Sequence, residues 1–457
     1  MQLAKIKRHI ISKKMIKDVR ASIKEKQSQS LSKLIDEMRP ADLADLIEHL
    51  DSEERLYLFE MLEPDNAGDV LMEIEPPVQE SIISDLDNDA ITEIVQELES
   101  DEAADILGDL PKDRAKKIID TLNVEVSDEV EKLLPYNEDT AGGIMALEYV
   151  AVKEHFTVQE AIDIIRKKRE EVENIYYIWV VDDSEKLVGV IPLKDLVLEP
   201  PDRKISEIMN PEVISVDVNR DQEEVAHLVK KYNLIAIPVV DEYNRMVGRI
   251  THDDIIDVIE DETDEDISMM AGVIHQEIAE ESPIKISRAR LPWLIGGLFG
   301  GILAAAVINQ FETSLEKIIT LAFFFPVIMA LGGNTGTQAA TVAVRGLATG
   351  DIGLVNTGKR LWTEMRVALY NGVICGTLLA LIVGVWISDY RLGTVIGVAL
   401  LLIVLISGFI GAAVPLLLKR TGIDPAIATG PFVTTSNDII SLLVYLGLVT
   451  IFLRLTT

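Results

Sequence analysis

Five stretches in the last third of the chain are long and apolar enough to cross about 30 Å of hydrocarbon: Leu291 to Phe311, Ile318 to Val344, Val367 to Ile387, Leu392 to Leu418 and Pro425 to Leu453. Lipid offers no hydrogen bonds, so a spanning segment must satisfy its backbone internally as a helix, and this dictates the architecture of the whole C-terminal part. Within these runs one residue is charged at neutral pH, Asp438. A carboxylate at bilayer depth costs several kcal/mol unless a cation, a polar partner or a water-filled cavity receives it, which marks an ion pathway. The competing reading is a protonated Asp438 that ties two helices together.

Two of the runs are interrupted by polar, small residues. The second holds Pro326 and then Gly332-Gly333-Asn334-Thr335-Gly336-Thr337-Gln338, read as a break that lines a cavity or packs on another helix. The fifth holds Gly430-Pro431 and then Thr434-Thr435-Ser436-Asn437-Asp438, where Pro431 is expected to free the carbonyl of Ile427 toward a pore. Gly296/Gly300 and Gly297/Gly301 in the first run point to close helix packing.

Charge separates the chain into two parts. From Ile286 onward there are seven acidic and eleven basic residues, leaving 68 acidic against 32 basic in the 285 residues before it, a net of −36. So acidic a part excludes general nucleic-acid binding and calls for counterions. The single cysteine, Cys375, excludes an intramolecular disulfide or a thiolate metal cluster. Basic residues choose the orientation: Lys285, Arg288, Arg290, Arg345, Lys359, Arg360, Arg366, Lys419 and Arg420 mark cytosolic ends, against Lys317, Arg391 and Arg454 at the opposite ends. The acidic part is expected in the cytosol and the C-terminus outside, in a multi-pass protein of the cell membrane. Met1 to Lys26 carries nine Lys/Arg and lacks the apolar core of a secretion signal. Its Ile6, Ile10, Ile11, Met15, Ile16 pattern predicts a basic amphipathic helix packed on an acidic neighbour or, less simply, touching lipid.

Two repeats organise the acidic part. From about Leu31 to Leu134 a short helical phrase recurs, as in Asp42-Leu43-Ala44-Asp45-Leu46, Ala67-Gly68-Asp69-Val70-Leu71 and Ala103-Ala104-Asp105-Ile106-Leu107. Asp45, Asp69, Glu93 and Asp105 are spaced by multiples of twelve, which predicts an α-solenoid with Pro40, Pro64, Pro76-Pro77 and Pro111 at helix ends. Further on, Val180-Val181-Asp182-Asp183 with Leu187-Val188-Gly189 returns 59 residues later as Val239-Val240-Asp241-Glu242 with Met246-Val247-Gly248. Each copy reads as helix, strand, turn, strand, helix. The tandem resembles a pair of CBS domains, many of which bind adenosine nucleotides. Thr251-His252-Asp253-Asp254 matches the T-x-x-D of that family, which implies that Thr251 and Asp254 hold a ribose; the first copy has Pro192-Leu193-Lys194-Asp195 there. After the second copy, seven acids fall within the ten positions Asp257 to Asp266. Their repulsion along a connecting helix makes a switch that cations would close, unless the run is only a solvated linker.

Taken together, the acidic helical domain, the CBS pair, the acidic connector and the five spans resemble the MgtE family of magnesium channels. Gly332-Gly333-Asn334-Thr335-Gly336, Asp424-Pro425-Ala426 and Pro431 through Asp438 carry the resemblance most specifically. It implies a multidomain fold: a basic N-terminal helix over 1–30, an α-helical solenoid over 31–135, α/β CBS domains over 136–200 and 201–260, an acidic connecting (plug) helix over 261–286 and a five-helix transmembrane pore domain over 287–457. It further implies a homodimer in the lipid bilayer, with Mg²⁺ at Asp438 as cargo and cytosolic Mg²⁺ closing the pore from sites between helical domain, CBS pair and plug. The basic N-terminal extension departs from the family pattern. Asp101, Asp105, Asp254, Asp257, Glu262 and Glu265 are the expected regulatory ligands; Asn334, Thr335, Gly430 and Thr435 are the expected pore lining around a largely hydrated ion. The rivals are a transporter of Co²⁺, Mn²⁺ or Ca²⁺ and a membrane-anchored nucleotide sensor. An enzyme is not expected, since no nucleophile with a paired base, phosphate-cradling loop or hydrolase metal spacing occurs among the six histidines.

Overall fold

The computed structural model describes residues 11–169, 172, 174–273, 283–348, 357–428 and 430–456. They form two compact units that meet in sequence at Ile259 and Glu260. Residues 1–10 of the expected basic helix and 274–282 of the expected connecting helix lie outside the described set.

The first unit opens with ten short helices: α1 (Lys13–Lys24), α2 (Ser28–Glu37), α3 (Pro40–Glu48), α4 (Ser52–Phe59), α5 (Pro64–Met72), α6 (Pro76–Asp85), α7 (Asn88–Val95), α8 (Ser100–Gly108), α9 (Lys112–Ile119) and α10 (Val124–Leu133). Their ends are written locally. Pro40, Pro64 and Pro76 sit at the first helical position, where a missing N–H is no loss. Asp51 and Asn123 cap through side-chain oxygens that accept from Glu54 N at 3.1 Å and Val126 N at 2.9 Å. From α3 to α9, alternate helices stack (α3 on α5, α5 on α7, α7 on α9), so Asp45, Asp69 and Glu93 recur on successive members of one layer. The stack buries one continuous core that includes Leu43, Leu58, Val70, Ile91, Leu107 and Ile118. Helix α1 packs on α2 and α4, burying Val19, and Arg20 Nε reaches Glu54 Oε2 at 2.8 Å.

Two α/β repeats follow. The first contains β1 (Ala151–Lys153), α11 (Val158–Lys167), β2 (Tyr177–Val181), β3 (Leu187–Pro192) and α12 (Leu193–Leu198). The second contains α13 (Ile205–Ile208), β4 (Val216–Asp217), α14 (Gln222–Tyr232), β5 (Ala236–Val240), β6 (Met246–Thr251) and α15 (His252–Ala271). Each sheet has three strands, parallel then antiparallel, in the orders β1-β2-β3 and β4-β5-β6. The repeated V-V-D motif now has a cause. Asp182 Oδ1 accepts from Ser184 N (2.8 Å) and Lys186 N (3.0 Å), and Asp241 Oδ1 from Tyr243 N (2.9 Å) and Arg245 N (2.8 Å), so each aspartate closes its own hairpin. Trp179, Val181 and Leu187 of one repeat bury against Ala236, Val240 and Met246 of the other. The domain boundary expected at residue 260 falls inside α15, because the closing helix of the second repeat and the acidic run are one uninterrupted element.

The second unit continues from that helix into α16 (Pro283–Gln310), α17 (Glu312–Lys317), a 3₁₀ turn (Ile319–Phe324), α18 (Phe325–Ala348), α19 (Thr357–Ile387), α20 (Tyr390–Thr421), a second 3₁₀ turn (Pro425–Ala428) and α21 (Gly430–Thr456). Among the described residues, five helical stretches are long and apolar enough to span a membrane: Ile286–Gln310, Ile319–Ala348, Thr357–Ile387, Tyr390–Thr421 and Phe432–Leu455. Helix α20 sits among α18, α19 and α21, while Leu298, Phe299 and Leu303 of α16 and Leu381, Val385 and Trp386 of α19 stay mostly exposed. Such an apolar surface belongs in lipid.

Two sequence expectations change here. Helix α18 runs unbroken through Gly332 to Gln338, so that glycine-dense stretch is a packing surface on a continuous helix rather than a break. Pro431 lies in the first turn of α21, where an amide has no intrahelical acceptor in any case. The interruption is the 3₁₀ turn and Gly430, whose φ of 52° is the left-handed conformation that glycine adopts without strain.

Candidate functional site

The membrane site is built on the contact between α18 and α21. A Cβ at Gly336 would take the place of Asn437 Nδ2, one at Gly332 the place of Ser441 Oγ, and one at Gly411 of α20 the place of the Gly336 carbonyl oxygen. The three helices therefore touch through glycines, with Asn437 and Ser441 seated one turn apart in the groove. This register leaves Asp438 beside the next glycine: a Cβ at Gly333 would lie 3.9 Å from Asp438 Oδ1. The side chain is half-buried, with α18 beside it. Asn437, Ser441 and Ser407 are completely buried, and their side-chain polar atoms have no hydrogen-bond partner among the described residues. These three were missed from sequence. The signal was present in the matched four-residue spacing of Gly332/Gly336 and Asn437/Ser441.

Of the four residues expected to line a pore, Asn334 is on an open groove. With Thr337, Gln338, Thr341 and Val342 it lines about 360 Å³ along one face of α18. Spacings of three and four residues keep these polar groups in one stripe. Thr335 turns to α20, its Oγ1 donating to Leu331 O at 2.7 Å. Thr435 faces α16, its methyl filling the space beside Gly300; Gly296, Gly297 and Gly301 have no such neighbour among the described residues. Gly430 accepts from Thr434 Oγ1 at 2.9 Å and meets the end of α15, where a Cβ would come 2.5 Å from Met270 O.

The second candidate site is a crowd of carboxylates in the first unit. Helix α8 carries Asp101 and Glu102 in its first turn and Asp105 one turn on, and the first turn of α15 carries Asp254, whose charge acts on all three. Asp101 is buried, and its pKa is raised well above the usual range by burial first and then by Asp254, Glu99, Glu102 and Glu148. Burial and then Glu99 push Glu102 up to about 7. Asp105 is pushed up to about 7 by burial and by Glu138, Asp109 and Asp254. Because Asp105 still opens to solvent, water screens part of that rise and its like charges act less strongly than those on Asp101. Asp254 is raised by burial and held back by the amide and hydroxyl of Thr251, both donating to Oδ2 at 2.8 Å. Asp101, Asp105 and Asp254 thus come together. Asp257 is exposed one turn along α15, and Glu262 and Glu265 lie further along the same helix, in the second unit. No three His, Cys, Asp or Glu side chains among the described residues converge closely enough to hold a metal ion directly. The patch suits a cation that keeps much of its water.

Thr251 spends its hydroxyl on Asp254, so the two expected ribose contacts are engaged with each other. Near them a cleft between the repeats is lined by Tyr149, Asn174, Tyr176, Trp179, Ala236 and Arg249 and admits only about 10 Å³ of water-sized space. A nucleotide requires this cleft to open.

Residues 38–139 match the family described as the MgtE intracellular N domain, 141–201 and 205–261 match the CBS domain, and 325–448 match MgtE, described as a divalent cation transporter. The chain is 40% identical over 330 residues to the magnesium transporter MgtE of Enterococcus faecalis, covering 72% of this chain and 73% of the relative. Against the magnesium transporter MgtE of Thermus thermophilus it is 41% identical over 339 residues, covering 73% and 75%. Among solved structures, the cytosolic domain of the Mg²⁺ channel MgtE in complex with ATP matches with a TM-score of 0.51 at 37% identity, over 53% of this chain and 99% of that one.

Proposed function

The chain belongs to the MgtE family of magnesium transporters, and from that premise we propose that it is a homodimeric Mg²⁺ channel closed by cytosolic Mg²⁺. The observation that carries the pathway is Asp438, a half-buried carboxylate beside Gly333 and the one acidic side chain on α18 and α21. Mg²⁺ surrenders its water shell reluctantly, so one carboxylate per chain with neutral oxygens nearby holds the ion hydrated and lets it leave. The stripe of Asn334, Thr337 and Gln338 offers hydrogen bonds to that shell from one side. Five spans make half of a pore, and a two-fold axis along the membrane normal supplies the second Asp438. The excess of Lys and Arg at one set of helix ends supports a cytosolic acidic part and an external C-terminus.

Asp101, Asp105 and Asp254 repel one another until a divalent cation joins them, and Asp257, Glu262 and Glu265 extend the negative charge along α15. The same helix ends with Met270 against Gly430, the first residue of the helix that bears Asp438. A change in α15 therefore has a direct mechanical route to α21. Flux of Mg²⁺ into vesicles holding purified protein tests both parts. Wild-type flux in Asp438→Ala removes the pathway assignment; flux independent of cytosolic-side Mg²⁺ removes the gate. Competition with Co²⁺, Mn²⁺ and Ca²⁺ in the same assay measures selectivity.

A nucleotide reading is favoured by one observation, the similarity of the cytosolic part to a domain solved with ATP. The aromatic walls Tyr149, Tyr176 and Trp179 and the cation Arg249 suit a base and phosphates once the cleft widens. Isothermal titration of the full chain with ATP, with and without Mg²⁺, tests it; no heat under either condition removes the reading.

A further inference from the structure

Asn437 and Ser441 of α21 and Ser407 of α20 are 0% exposed, and Asn437 Nδ2 and Oδ1, Ser441 Oγ and Ser407 Oγ have no hydrogen-bond partner among the described residues. The glycines of α18 show where two of them sit. A Cβ at Gly332 would collide with Ser441 Oγ and come 3.1 Å from Ile403 Cγ2 of α20, and one at Gly336 would collide with Asn437 Nδ2. Gly411 of α20 closes on the same turn, because a Cβ there would collide with Gly336 O. Ser407 lies four residues from both Ile403 and Gly411, so it is on the face of α20 that meets α18, at the level between Gly332 and Gly336. Asn437 and Ser441 flank that level from α21. The three side chains therefore border one spot, where α18, α20 and α21 join.

A buried amide or hydroxyl without a partner bears the full loss of its hydration, and such groups gathered in one place are where proteins hold internal water. The lining sets the ligand. Two hydroxyls and a carboxamide, neutral and each able to donate and accept, match water; a divalent cation would be stripped of its shell there with no charge to compensate. We propose that the α18/α20/α21 junction is an internal hydration site, in which ordered water bridges Asn437, Ser441 and Ser407 and fixes the rotation of α21. Polar groups that share water at one rotation lose those bonds at any other, so the bridge selects a single setting of the helix. Asp438 follows Asn437 and lies beside Gly333, the residue after Gly332, so the same setting places its carboxylate. Asn437 is in this sense a positioning residue, and its effect on transport rests on the reading of Asp438 as the pathway.

A map of the full chain in lipid nanodiscs, at a resolution that shows ordered water, tests the site directly. Density within hydrogen-bond distance of the Asn437 amide and of at least one of the two hydroxyls is expected, and it should persist when sodium and potassium are replaced by N-methylglucamine. Asn437 bonded directly to Ser407 or Ser441 with no such density overturns the proposal, and so does density that vanishes with the small cations. Vesicle flux tests the positioning. Asn437→Leu keeps the branched shape and cannot hold water, so the Mg²⁺ concentration for half-maximal flux should rise about tenfold, while the unfolding midpoint in detergent stays at or above that of wild type. Asn437→Ser, which admits a further water, should restore most of the Mg²⁺ dependence. Ser407→Ala combined with Ser441→Ala removes only hydroxyls and should shift that dependence the same way by a smaller factor; it decides the matter if Asn437→Leu does not fold. Wild-type Mg²⁺ dependence in the folded variants overturns the positioning role. If Asp438→Ala conducts as wild type does, it is the pathway reading that fails, while the map still decides the hydration site.

Discussion

The carboxylates of the α8/α15 patch and the carboxylate of Asp438 meet opposite surroundings. At the patch, Asp101 stands among Asp254, Glu99, Glu102 and Glu148, with Arg249 as a nearby cation. In the membrane, Asp438 is the one carboxylate of its span and has glycines and neutral oxygens beside it. Crowded anions store repulsion that a cation releases, which suits a group that must change the position of a domain. A lone carboxylate binds a hydrated ion weakly enough to let it pass. Under the proposed function, the same type of side chain serves sensing in one place and conduction in the other through the company it keeps.

The largest effect that would break this contrast is on flux. Asp438→Asn is expected to lower Mg²⁺ flux at least a hundredfold with the protein still folded, measured in vesicles; substantial flux would mean the lone carboxylate is not the pathway. Next comes the patch. Asp101→Asn combined with Asp254→Asn removes repulsion and ligands together, so the cytosolic Mg²⁺ needed to halve the flux should rise about tenfold or more while the maximal flux stays near wild type. Gly336→Ala probes the scaffold that aims Asp438. Its methyl would displace Asn437, and overpacking of this kind typically costs about 1–3 kcal/mol, visible as a lower unfolding midpoint in detergent.

The smallest effect expected is on pH. Glu102 is pushed up to about 7 and Asp105 is raised in the same direction, so the docked state keeps protons that a separated α8 would lose at lower pH. Without divalent cations, docking should be firmest at low pH and weaken as pH rises from the ordinary carboxylate range through about 7. Mg²⁺ competes with those protons, so its binding should tighten across the same window. Exchange of the α8 peptides at pH 6 and pH 8, in EDTA and in Mg²⁺, checks the sign; a patch that loosens on acidification would sink the assignment.

How much of this could be read beforehand differs between the regions. Hairpin aspartates, prolines at helix starts and long apolar runs act on their immediate neighbours, so the V-V-D turns of Asp182 and Asp241, the ends of α3, α5 and α6 and the five spans were legible from residue order. Asp438 stood out in the residue order as the one charge in an apolar run, and the structure places it half-buried beside Gly333. By contrast, the run Gly332 to Gln338 looked like a break, since its residues favour loops in water; packing against α20 and α21 makes it helix. Thr335 and Thr435 shared a pattern with Asn334, but neighbouring helices turned them to α20 and α16.

Sequence by itself determined the classes of segment, their order, the acidic run from Asp257 to Asp266 and the one charge, Asp438, within the apolar runs, because these follow from residue type and local backbone chemistry. Only the tertiary structure decided that Glu99 and Arg249, 150 positions apart, form an ion pair, and that Asn437 and Ser441 fill the Gly332/Gly336 groove. Such contacts arise when distant segments exclude water between them, and no periodicity along the chain encodes which surfaces will do so.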